Sequence, residues 1–266
     1  MIETELSSPD NVGTKINLQE LQAGSSPVVF LVNGFGGCAP CITRILHKKL
    51  QLQSISVYDL DWNDIYLRRR SVYLTFTDTK FIQQMVELVI PTIKSERPII
   101  LIGESLGGDA ILEVAARVRP RKIDFLGIID SVNKLGQRTT KEVPENVNYF
   151  YNRWTQNPSL PRNIESWKLP GTNYRLGIPL NASKSGELFC PNPSTYSDQQ
   201  EQSYGYNADG TPILVANTTN SSVTKQKILT HACKNAIYKD PYIQQQIFEI
   251  IKKIDVKSHS APNRSS

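Results

Sequence analysis

The chain of 266 residues has only four cysteines, Cys38, Cys41, Cys190 and Cys233, too few for a disulfide scaffold. No apolar run is long enough to span a bilayer; the longest, around Pro98–Gly103, reads as a buried strand. The opening residues, Met-Ile-Glu-Thr-Glu-Leu-Ser-Ser-Pro-Asp, lack the basic start and apolar stretch of a signal peptide. A soluble, cytoplasmic protein is therefore expected, and Asn181-Ala-Ser and Asn217-Thr-Thr carry little weight as glycosylation acceptors. There is no repeat at solenoid spacing. The net charge of +5 is mild, and its one compact basic run, Arg68–Arg70, reads as solvated surface. No stripe of aromatics and cations marks a nucleic-acid groove, so no nucleic-acid partner is expected. No His/Cys spacing suggests zinc, and neither a metal nor an organic cofactor is expected.

What is present is an alternation of strand-like and helix-like segments. Together with 39% hydrophobic residues, this predicts one α/β domain over residues 1–256 with a mostly parallel, doubly wound sheet. Residues 1–26 read as a polar leader with a short strand near Thr14–Leu18. Strands are expected at Pro27–Val32, Ile55–Tyr58, Pro98–Ile102, Ile123–Ile129 and Val147–Tyr151. Helices are expected at Cys41–Leu50, at Phe81–Ile93, after Gly108 through Val118, and at Pro241–Ile254. Residues 152–222, rich in Asn, Pro, Ser, Gly and Tyr, predict an irregular, lid-like insertion. Trp154, Trp167, Leu176, Phe189 and Tyr204 would give it an apolar wall. Residues 257–266 read as a disordered tail.

Gly103-Glu104-Ser105-Leu106-Gly107 fits G-x-S-x-G between an apolar strand and a small-residue helix start. That pattern sets a serine on a sharp turn with its hydroxyl pushed out of the sheet. The rival reading is a plain Ser/Gly turn. Asn33-Gly34-Phe35-Gly36-Gly37 follows the first buried strand, where glycines let backbone approach a ligand closely. An N–H from Gly34 or Phe35, with that of Leu106, can form an oxyanion hole.

A serine nucleophile needs a base, and there are three histidines. His47 lies beside Lys48 and Lys49 in a helix and reads as exposed; His259 lies in the tail. His231, downstream of Ser105 and before the last helix, is the candidate. For the acid, Asp130 ends an apolar strand and so belongs at the same sheet edge as Ser105. Glu165, Asp198 and Asp209 remain rivals, and a helix cap is the alternative role for Asp130.

Four pieces together resemble the α/β-hydrolase superfamily, in its lipase-like and thioesterase-like branches. They are Gly-Glu-Ser-Leu-Gly-Gly-Asp around Ser105, the Asn-Gly-Phe-Gly-Gly loop, Ile-Asp-Ser-Val at 129–132, and Thr-His at 230–231. The resemblance covers residues 27–151 and 228–254 and implies an acyl-enzyme mechanism. It also implies an acid after the strand that follows the nucleophile helix, as in such thioesterases, where Asp130 lies. The chain departs from the family at Glu104, a position often held by His or Tyr.

Cys38-Ala-Pro-Cys41 opens a helix like a thioredoxin-type redox motif. That fold also wants a later cis-proline loop, and no proline occurs between Pro40 and Pro91; the cysteines read as small helix-start residues. The expected activity is hydrolysis of a carboxylic ester or thioester by Ser105, His231 and Asp130. The expected partner is a small-molecule acyl ester or thioester. Two alternatives stay open: a thioesterase acting on acyl groups held by an acidic carrier, and a non-catalytic hydrolase-fold binding protein.

Overall fold

The apolar runs Val28–Asn33 (β3), Ile99–Glu104 (β5), Ile123–Ile129 (β6) and Val147–Trp154 (β7) are strands. Apart from the amino-terminal halves of β6 and β7, they are buried along their length, as strands covered on both faces must be. A computed structural model describes residues 3–6, 14–34, 43–61, 79–132, 141–157, 186–217, 223–230 and 235–260. With Ser56–Asp61 (β4) and Tyr196–Glu201 (β8), these strands form one six-stranded sheet in the order β4-β3-β5-β6-β7-β8. Every neighbouring pair is parallel. Two hairpins stand apart from it: Glu3–Leu6 (β1) with Thr14–Asn17 (β2), and Leu214–Ala216 (β9) with Thr224–Gln226 (β10).

Side chains alternate across the pleat and divide the core in two. Val28, Phe30 and Val32 of β3 join Leu101, Leu126 and Ile128 on one face. That face is covered by Thr79–Gln84 (α3), which continues through a wider turn at Met85–Val89 into Ile90–Thr92 (α4), and by Leu106–Arg117 (α5). Val29 and Leu31 join Ile100, Ile102 and Phe125 on the other. There, Leu46 and Leu50 of Thr43–Gln51 (α2) and Ile243, Ile247 and Ile251 of Pro241–Ser260 (α6) close the layer. Their spacing of four puts each set on one helix stripe.

The chain runs from β3 outward to β4, then back across β3 to β5. The direction of winding reverses there, at the carboxyl ends of β3 and β5, the place where open α/β sheets take their ligands. β3 ends at Asn33 and β5 at Glu104, so Gly34 and Ser105 stand at this switch point.

Three expectations change. The stretch from 152 is not wholly irregular: residues 152–154 complete β7, and Tyr196–Glu201 adds an edge strand. This edge strand is mostly solvated, so its sequence, Tyr-Ser-Asp-Gln-Gln-Glu, carries no apolar signal. Trp154, assigned to the lid wall, is a buried sheet residue; Phe189 and Tyr204 are exposed. Trp167 and Leu176 lie outside the described residues. The polar leader holds its expected short strand as β2, and adds β1 and Leu18–Gln22 (α1), with Ile16, Leu18 and Leu21 buried. The tail is helical as far as Ser260, because α6 continues beyond its buried stripe. Among the described residues, no helix is long and apolar enough to cross a membrane.

Candidate functional site

Ser105 joins β5 to α5 with φ 53° and ψ −125°, a conformation that residues with a Cβ avoid and that costs about 1–3 kcal/mol. The surrounding glycines make so sharp a turn possible. A Cβ on Gly103 would lie 2.6 Å from the Gly107 carbonyl oxygen, and one on Gly107 only 2.3 Å from that of Val32. A Cβ on Gly34 would meet the Ser105 Cβ at 2.6 Å. The motif glycines are thus contact points between β3, β5 and α5. Gly107→Ala must push backbone against backbone, so a loss of about 3 kcal/mol is expected in urea unfolding.

The Ser105 side chain caps no N–H of α5. Leu106 stands at the first helical position, where the N–H has no partner within the helix and the dipole favours negative charge. The elbow is also fixed from β6. The Ser105 N–H donates to the Ile129 carbonyl at 3.1 Å, and the Val132 N–H donates to the Ser105 carbonyl at 3.1 Å.

Asp130 lies between those two anchors, 1% exposed and with φ 48°. Its N–H donates to the Arg153 carbonyl at 2.7 Å, and its Oδ1 accepts from the Thr155 N–H at 3.2 Å. Ser131 and Val132, the described residues that follow, are not helical, so a capping role finds no helix there. Of the rival acids, Asp198 is engaged by the buried Arg153 guanidinium at 2.9 Å on β8. Asp209 sits in an exposed turn, accepting from the Thr211 N–H at 2.9 Å and hydroxyl at 2.7 Å. Glu165 lies outside the described residues.

Of the histidines, His47 differs from the expectation of an exposed side chain. It is half-buried and pairs through Nδ1 with Asp59 Oδ2. Asp59 is level with Leu31 and, across β3, with Ile102. That is three residues before Ser105, or about 10 Å along the strands, so this pair sits away from the elbow. His259 belongs to the last turn of α6. His231 lies outside the described residues, but its flanks are well tied. The Thr230 N–H donates to the Asn235 carbonyl at 2.9 Å, and the Ile237 N–H donates to the Thr230 carbonyl at 2.8 Å. Asp240, at the head of α6, accepts from the Tyr206 N–H at 2.9 Å and the Gln202 amide at 3.0 Å. Burial pushes its carboxyl above the usual carboxylate range, against the pull of these donors.

Glu104 is buried, and its Oε1 accepts from the Gly34 N–H at 2.9 Å. The sequence suggests that N–H as an oxyanion donor; here it is turned onto a carboxylate. Phe35, the other loop donor, lies outside the described residues, as do Gly36, Gly37, Cys38 and Cys41. Sequence reasoning missed Thr155 and Asn157, polar residues just beyond β7. Their only signal is their place at the carboxyl edge, and that requires knowing where β7 ends. Compared with family models and with curated proteins, the chain matches none.

Proposed function

We propose that this chain is a serine hydrolase of the α/β-hydrolase type that cleaves a carboxylic ester or thioester through an acyl-enzyme intermediate. One observation carries the reading: Ser105 holds a strained, positive-φ backbone between β5 and α5, at the point where the sheet's winding reverses. Backbone strain of this kind persists only where the surroundings enforce it, and it clusters at reacting centres.

In this reading Ser105 attacks the acyl carbonyl while His231 takes its proton. Asp130 fixes the imidazole tautomer and stabilises the imidazolium. The oxyanion is received by the Leu106 N–H and, with the Gly34 N–H committed to Glu104, by that of Phe35. The leaving alcohol or thiol departs with the proton from His231, and water repeats the sequence on the acyl-enzyme.

The position of Asp130, directly after β6, favours the thioesterase-like branch, with an acyl group held on an acidic carrier as a second substrate class. A panel of p-nitrophenyl esters and acyl thioesters of graded chain length tests both. Turnover of at least one series is expected. The absence of turnover, together with no labelling by a fluorophosphonate, would leave a non-catalytic binding protein of the same fold.

A further inference from the structure

We propose that Thr155, assisted by Asn157, is a positioning residue that holds the acid and the base of this site in register; the inference rests on the hydrolase reading above. Thr155 is fully buried at the carboxyl end of β7, and its two halves face two different parts of the site. Its backbone N–H donates to Asp130 Oδ1 at 3.2 Å. Its hydroxyl donates to the Leu229 carbonyl at 3.2 Å, two residues before His231.

Asn157 completes the clamp. Its N–H donates to Thr155 Oγ1 at 3.2 Å, which orients the hydroxyl. Its Nδ2 donates to the same Leu229 carbonyl at 2.9 Å and to the Ser203 carbonyl at 3.0 Å. The Leu229 N–H also donates to the Ser203 carbonyl, at 2.9 Å. Two donors on one carbonyl oxygen use both of its lone pairs and fix the plane of the Leu229–Thr230 peptide. One residue therefore fixes the carboxylate through its backbone N–H and, through its hydroxyl, the Leu229–Thr230 peptide that precedes His231 in the chain. A charge pair so coupled must be held to a fraction of an ångström to work, and supporting hydrogen bonds supply that rigidity.

The test measures the rate of fluorophosphonate labelling of Ser105 against pH in the full chain. Thr155→Val keeps the shape and the backbone N–H but removes the hydroxyl; Thr155→Ser keeps the hydroxyl. In Thr155→Val the plateau rate should fall about 10- to 100-fold, the range a displacement near 1 Å produces. Its pH midpoint should move down by about half a unit, because the N–H on Asp130 is kept while the peptide leading to His231 is freed, and an imidazole less well placed against the carboxylate is stabilised less as imidazolium. Thr155→Ser should label within about threefold of wild type, the smaller loss expected when geometry is largely kept. A folded Thr155→Val with unchanged plateau and midpoint overturns the proposal. So does a lower plateau with an unmoved midpoint, or a serine variant as slow as the valine one. If Thr155→Val does not fold, the half-buried Asn157→Ala decides, with the same directions expected and no change overturning. A wild type that never labels at Ser105 removes the hydrolase reading as well; a labelled wild type with unaffected variants removes this proposal alone.

Discussion

Ser105→Ala is expected to abolish fluorophosphonate labelling and to lower ester or thioester turnover by about a millionfold, the scale on which a serine protease loses kcat when its nucleophile alone is removed. The fold should survive. The serine side chain caps no helix N–H, and alanine carries the same Cβ through the same positive φ, so the backbone strain is unchanged. Unfolding free energies should therefore differ by no more than about 1 kcal/mol, the typical size of a single-residue effect. Intact-mass analysis of the labelled wild type should show one adduct, mapped to Ser105. An adduct on another serine that persists in the alanine variant would remove Ser105 from the chemistry.

Asp130→Asn is the second large effect. At φ 48° asparagine is as well suited as aspartate, since both tolerate the left-handed region. Its amide oxygen can still accept from the Thr155 N–H that now binds Oδ1 at 3.2 Å. The shape is preserved while the charge is lost and the imidazole is free to take the wrong tautomer. The same change in the triad of a serine protease costs about ten-thousandfold in kcat, and a loss of that order is expected here. Asp198→Asn and Asp209→Asn should each lower kcat far less than Asp130→Asn, since each carboxylate is engaged elsewhere. Asp198 is engaged with Arg153 and Asp209 with its own turn. Steady-state kinetics at matched thermal stability checks the ranking, and the opposite order would move the acid to the far side of the sheet.

The central strands were readable because burial on both faces demands uninterrupted apolar residues: Val28–Asn33, Ile99–Glu104 and Ile123–Ile129 lie within about two residues of their expected bounds. The Ser105 turn was readable for a related reason. Glycine two residues either side is a steric requirement, written into the sequence wherever Cβ atoms would strike backbone at 2.3–2.6 Å. β8 was not readable, because an edge strand exposed to water has no periodic apolar face. Nor was the length of α6, whose last turns continue past the stripe that buries Ile243, Ile247 and Ile251.

The pattern of residues alone determined the α/β class and the central strands, because local sterics and burial act on neighbours in the chain; it singled out Ser105 by its glycines, Asp130 by its strand end and His231 by chain order among three histidines. Tertiary structure decided which distant groups meet. Strand order brings the Gly34 N–H onto Glu104, directs Asp198 to Arg153, and gives Thr155 a hydrogen bond to Asp130 on one side and to Leu229 on the other. Such pairings span 25 to 74 residues of sequence. They follow from the packing of whole strands and helices, and no local preference in a linear sequence encodes them.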